Sequence, residues 1–128
     1  MTTTGWLGLA LLLGSFGCSP KPKFAGDKLP KTLEGGWQLG ETKALTPEAL
    51  PECHSKNVWR AEYNGPRTRH VFICEMPAEA SAFELSQKWK PAPGTLAFQH
   101  KTLFLIVEAE DGGAAPQTFI KALDGALP

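Results

Sequence analysis

Leu103-Phe104-Leu105-Ile106-Val107 is apolar at every position and lies within a predicted strand from Thr102 to Ala109. Successive side chains of a strand point to opposite sides of the sheet, so this strand presents hydrophobic side chains on both of its faces. We therefore expect it in the middle of a sheet or beneath a partner. Thr95 to Gln99 predicts a second strand, which the short His100-Lys101 connection joins to the first.

A β-hairpin is predicted upstream of this pair. Val58 to Tyr63 alternates between apolar and polar residues in the manner of a half-buried strand. Asn64-Gly65-Pro66 is typical of a turn. Arg69 to Glu75 has the β-branched and aromatic content of a return strand, with Val71 to Cys74 buried.

Two helices are predicted, one after each pair of strands. Pro77 and Pro116 each suit the first turn of a helix, where the missing amide has no intrahelical partner. The apolar positions that follow are spaced mainly by three and four residues. They are Ala78, Ala82, Leu85 and Trp89 in the first helix, and Phe119, Ile120, Leu123 and Leu127 in the second.

The resulting element order is β-β-α-β-β-α. This order favours an α+β fold, a two-layer sandwich in which a mostly antiparallel sheet carries both helices on one face. The other face then needs a cover, for which we favour the segment from Gly35 to Pro51. Self-association through that sheet face and a ligand groove are the alternatives.

The first residues of the chain predict export. The apolar stretch from Trp6 to Gly17 is shorter than the roughly 20 residues that a membrane-spanning helix needs. It is followed by small residues and then by Cys18. We therefore expect residues 1–17 to be a cleaved signal peptide rather than a membrane anchor.

Gly17-Cys18 resembles the cleavage point of bacterial lipoprotein signals, in which the cysteine carries the acyl chains. The resemblance implies lipidation at Cys18, and Ser19 after it implies the outer membrane with the domain facing the periplasm. Ser15 and Phe16 depart from the family pattern of a leucine and a small residue. Ser15 and Gly17 also satisfy the rule for ordinary secretory cleavage, so a secreted protein is the alternative.

Composition separates a linker from a single domain. Residues 18–34 are rich in proline and lysine, which predicts a flexible basic tether after the lipid-attachment cysteine. Residues 35–128 then form one α+β domain. The chain is formally neutral and lacks the basic excess of nucleic-acid-binding proteins, so we expect no nucleic-acid partner.

Cys53 and Cys74 remain as an even pair when Cys18 is acylated, which favours a disulfide in an oxidising compartment. Closing a loop of this size would stabilise the fold by roughly 3 kcal/mol in the chain-entropy model. Two buried reduced thiols are the alternative.

Two groups of side chains are candidate binding residues. His54, His70 and His100, with the two cysteines, have the ligand chemistry of a copper or zinc site, although their spacing matches no known motif. Arg60, Arg67 and Arg69 gather around the predicted hairpin and would suit a carboxylate or phosphate on a partner. Solvated surface residues are the alternative for both groups.

The compact signatures of catalysis are missing from the sequence, so we predict neither an enzyme nor a cofactor. Leu29-Pro30 through Gly35-Gly36-Trp37, Arg60 to Tyr63 and Ala82-Phe83 resemble small exported bacterial lipoproteins of the acidobacterial type, whose domain has no assigned function. The expected function is a membrane-anchored binding or assembly module. A metal or small-ligand carrier is the alternative.

Overall fold

A computed structural model describes residues 28–128 of the protein, and this part of the chain forms strands, two 3₁₀ turns and two α-helices. The strands are β1 (Thr32–Leu33), β2 (Trp37–Leu45), β3 (Asn57–Asn64), β4 (Arg69–Glu75), β5 (Thr95–His100) and β6 (Leu103–Glu108). The helices are α1 (Glu79–Lys88) and α2 (Ala114–Ala126). The 3₁₀ turns, Pro47–Ala49 and Pro51–Cys53, connect β2 to β3.

The strands form one antiparallel sheet in the order β1-β2-β3-β4-β6-β5. The α+β class is confirmed, as is the β-β-α-β-β-α order of the elements from β3 onward. Strand β6 contains the apolar run Leu103 to Val107 and lies between β4 and β5. The run therefore occupies the mid-sheet position that its composition predicts.

The two helices cover opposite faces of the sheet, so the prediction of a two-layer sandwich with both helices on one face is wrong. Leu105 of β6 shares a core with Phe119 of α2. Its neighbour Phe104 points to the other side and shares a second core with Ala82 of α1. Because β6 is apolar on both sides, each side needs its own cover. We call these two sides the α2 face and the α1 face.

The domain begins earlier than the predicted boundary at residue 35. Leu29 and Leu33 are buried, with exposed fractions of 2% and 6%. The Tyr63 hydroxyl donates a hydrogen bond to the carbonyl oxygen of Pro30 at 2.8 Å, and burial raises the pKa of this phenol. The end of the predicted tether, residues 28–34, therefore belongs to the folded domain, whereas residues 18–27 lie outside the described part of the chain.

The segment from Gly35 to Pro51 only partly forms the expected cover. Its first part is β2, which extends the sheet beside β3 and contains a bulge between Leu39 and Thr42. Gly35 and Gly36 turn the chain from β1 to β2 with φ angles of 100° and 92°. Only the following 3₁₀ turns cover a face, because Leu50 packs against the core on the α1 face.

Aromatic rings occupy the centre of both cores. On the α2 face, Phe119 contacts Trp37 and Tyr63 edge to face, with ring centroids 5.2 and 5.6 Å apart. On the α1 face, Trp89 packs on Phe104 at 5.0 Å. Such aromatic pairs add stability beyond the area that they bury.

We expect Phe104→Ala to lower the free energy of unfolding by about 3–5 kcal/mol, because it leaves a cavity beneath α1 and removes the contact with Trp89. Phe83→Ala, compared in dilute protein where copies of the chain do not associate, is the matched control, since Phe83 is 56% exposed. We expect the control to change stability by less than about 0.5 kcal/mol. Urea unfolding followed by tryptophan fluorescence measures both, and equal effects would contradict the assignment of Phe104 to a closed core.

Candidate functional site

A histidine lies between two carboxylates on the α1 face. The Nδ1 atom of His70 on β4 is 2.7 Å from Oε1 of Glu108 on β6. Its Nε2 atom is 3.2 Å from Oε1 of Glu62 on β3. Glu62 and His70 are direct cross-strand neighbours, which brings the two side chains to the same face. The cluster therefore joins three adjacent strands.

The position of this cluster follows from how the α1 face is covered. Helix α1 covers the β5 and β6 part of this face, and the 3₁₀ turns cover the Cys74 end of β4. His70 lies toward the other end of β4, where its side chain is 27% exposed. A neutral imidazole donates to only one carboxylate, whereas its cation donates to both. The cluster is therefore a hydrogen-bonded group at a partly exposed surface.

The predicted arginine group is not assembled into one anion site. Arg60 is paired with Phe72 across the β3–β4 ladder and lies on the α1 face, whereas Arg69 lies on the α2 face. The Arg69 side chain is buried and binds Asp111 through two hydrogen bonds, of 2.7 and 2.8 Å. Arg67 is mostly exposed and only approaches the same carboxylate, at 3.9 Å. Arg69 is therefore engaged within the domain.

The hydrogen bonds from Arg69 lower the pKa of Asp111 to about 2. The paired guanidinium favours the charged carboxylate, which is the physical cause of the shift. Asp111 follows β6, so this ion pair anchors the chain after β6 to the first residue of β4. Its geometry is that of a bidentate structural clamp.

The predicted metal ligands do not come together. His70 lies on the α1 face, whereas His100 lies on the α2 face, where its Nδ1 atom is 2.7 Å from Asp124 Oδ1. His54 is exposed at the end of the second 3₁₀ turn. Within residues 28–128, no group of three or more histidine, cysteine or acidic side chains has the arrangement of a metal site.

Cys53 and Cys74 lie within disulfide-bonding distance, and their Cα atoms are 6.5 Å apart. Both are buried in the core on the α1 face. The pair connects the second 3₁₀ turn to β4, and therefore holds the β2–β3 connection against the sheet. Once joined in a disulfide, the two sulfurs are not available as thiolate ligands for a metal.

An open cleft of about 630 Å³ runs between α1 and the second 3₁₀ turn. Its lining mixes apolar and charged side chains, among them Met76, Leu85, Trp89, His54 and Lys88. The indole Nε1 of Trp89 is buried and has no hydrogen-bond acceptor among the described residues. The cleft is therefore an open surface that combines apolar and charged side chains.

Sequence reasoning missed the acidic partners of the site. Glu62 lies within the alternating pattern of a half-buried strand, and Glu108 and Asp111 follow the pattern of a buried strand that emerges into water. The signal that would have found them is the register of β4 against β6, since His70 and Glu108 are 38 positions apart in the chain. That register is not readable from local periodicity.

No known family matches this chain, and neither a curated protein nor a solved structure shows significant similarity to it. In the described part of the chain, the helices are too short or too polar to cross a membrane. The predicted signal peptide (residues 1–17) and lipidation site (Cys18) lie outside the described residues.

We expect the Arg69–Asp111 pair to stabilise the fold above pH ~4 and to lose this effect as the pH falls toward 2. The folded-state pKa of Asp111 is about 2, below its ordinary value of 3.8, so protonation on acidification favours unfolding. Asp111→Asn should therefore be less stable than the wild type at pH 6, and this difference should shrink toward pH 2. Urea unfolding across this pH range measures it.

The matched controls for this pair are on the arginine side. Arg69→Gln removes the buried partner, whereas Arg67→Gln removes a side chain that is 57% exposed. We expect only the first to reproduce the effect of Asp111→Asn. A constant difference between the wild type and Asp111→Asn at all pH values would contradict the assigned pair.

We expect the oxidised protein to contain a Cys53–Cys74 disulfide, because both sulfurs are already adjacent in the fold. Replacing both cysteines with alanine should lower the free energy of unfolding by about 2–5 kcal/mol. Peptide mapping with and without reductant identifies the bond directly. Two alkylatable thiols at Cys53 and Cys74 in the unreduced, denatured protein would contradict it.

Proposed function

We propose that this protein is an exported binding or assembly module, held at the outer membrane through acylated Cys18 and facing the periplasm. The signal-like anatomy of residues 1–18 supports export and lipidation. An adjacent cysteine pair supports an oxidising compartment, because disulfides persist there. A secreted, unacylated protein is the alternative, and an experiment must distinguish it from the membrane-anchored protein.

The observation that carries the binding role is that the candidate reactive side chains are engaged within the domain. Arg69 is bound by Asp111, His70 lies between Glu62 and Glu108, and His100 is bound by Asp124. Hydrogen bonds of this kind hold these side chains in fixed positions within the domain. Their engagement favours recognition by surface shape over catalysis or metal carriage.

The sheet topology supports one orientation of the domain relative to the membrane. The N-terminal strand β1 lies at one edge of the sheet and β5 lies at the other. A tether that leads into Leu29 would therefore attach the domain to the membrane from its β1 side. The β5 edge and α1 would then face the periplasm, where a partner can reach them.

We expect the protein extracted from bacterial membranes to exceed the mass of the Cys18–Pro128 polypeptide by its acyl chains. Intact-mass spectrometry measures this excess. Cys18→Ala is the matched control, and it should lose both the added mass and the membrane association. An unmodified mass in the soluble fraction would overturn the anchor.

A further inference from the structure

The two free edges of the sheet differ in their protection against pairing with another strand. Beyond the two-residue β1, the edge of β2 contains a bulge and carries Glu41 and Lys43. Bulges and charged residues hinder edge-to-edge association. Strand β5 has the sequence Thr-Leu-Ala-Phe-Gln-His and pairs regularly with β6, without a bulge, a proline, a lysine or a carboxylate. Its outer edge is therefore unprotected.

We propose that two copies of this chain associate by antiparallel pairing of their β5 edges, with Ala97 on the two-fold axis. The sheet then continues from one copy into the next. This inference deepens the assembly role proposed above and rests on it for its biological use.

The register follows from the faces of β5. A two-fold axis perpendicular to the sheet keeps both α1 faces on the same side of the joined sheet. Each β5 residue must therefore lie opposite a residue of the second copy whose side chain points to the same face. Centring the pair on Ala97 places Leu96 opposite Phe98 of the second copy. Thr95 then lies opposite Gln99. An apolar pair and an uncharged polar pair result, and no like charges face each other.

An exposed phenylalanine lies beside the same edge. Phe83 is 56% exposed and follows Ala82, which is fully buried against the sheet. One residue is about 100° around a helix, so Phe83 projects from one side of α1. Ser81 and Leu85 are on the opposite side and line the cleft toward the 3₁₀ turns. Phe83 therefore points away from that cleft.

A hydrogen bond connects β5 to the side of α1 that carries Glu79. The amide Nε2 of Gln99 donates to the carbonyl oxygen of Glu79, at 3.2 Å. Glu79 and Phe83 are one helical turn apart and share this side of α1. Phe83 therefore lies on the side of α1 that contacts β5.

The spacing of the helices fits this pairing. Helix α1 contacts both β5 and β6, so it lies about half a strand spacing inside the edge. Neighbouring strands are about 4.8 Å apart, which places the two α1 helices of a β5-paired dimer about 10 Å apart. Helices pack at about 8–10 Å. The two Phe83 side chains would therefore meet in the helix–helix contact above the joined strands.

The first test is a cross-link at the two-fold axis. Ala97→Cys should form a disulfide-linked dimer under mild oxidation in the processed full-length protein, because residues opposite each other in a ladder have Cα atoms about 4.5–5.5 Å apart. Thr95→Cys is the register control, since it faces Gln99 of the second copy rather than itself. Lys43→Cys places a cysteine on the β2 edge, which the bulge and charged residues protect, and it should not cross-link. Any dimer that it does form would report linkage through Cys18.

The second test is association without a cross-link. Phe83→Asp should raise the dimer dissociation constant in analytical ultracentrifugation at least about tenfold, because it puts two like charges in the apolar contact. Ala80→Asp adds the same charge to the same helix but points away from the sheet. We expect this control to leave the dissociation constant within about twofold of the wild type. Circular dichroism confirms that both variants are folded.

A monomeric wild-type protein would overturn the β5 dimer, and so would a dimer in which Ala97→Cys cross-links no better than Thr95→Cys. These outcomes are distinct from a failure of the proposed function. An acylated but monomeric protein refutes only the dimer, whereas a β5-linked dimer without acyl chains refutes only the anchor.

Discussion

Burial of β6 on both faces is the constraint on which the rest of the domain depends. Leu105 and Phe104 point in opposite directions and are both fully buried. A strand of this kind is stable only when each side of the sheet has its own apolar cover. Helix α2 supplies one cover, and α1 with the disulfide-distance cysteine pair supplies the other. The positions of the two helices on opposite faces of the sheet satisfy that requirement.

The elements that sequence predicted correctly carry a strong local signal. β3 alternates, β4 is rich in β-branched residues, and both helices have apolar positions at helical spacing. β2 lacked such a signal because most of its residues are exposed beside a short strand. The composition of β6 shows that both of its faces are covered. It does not show which helix covers which face, because that depends on the path of the chain between β4 and β6.

The candidate site was the least predictable part, because its pairs join residues distant in the chain. Arg69 and Asp111 are 42 positions apart, and His70 and Glu108 are 38 apart. Both pairs connect β4 to the end of β6, one on each face of the sheet. The chemistry of the arginines and histidines was visible in the sequence. Their partners were not, since only the alignment of β4 with β6 defines them.

The position of β6 between β4 and β5 also affects the order in which the sheet can form as the chain leaves the ribosome. β4 is followed by α1 and β5, yet the neighbour that closes its edge is β6. Until β6 emerges, the nascent chain exposes an unpaired apolar edge at Val71 and Ile73. Such edges aggregate readily, and pairings that close long loops form slowly. Protection of the β4 edge from aggregation thus depends on β6, a strand close to the C-terminal end of the domain.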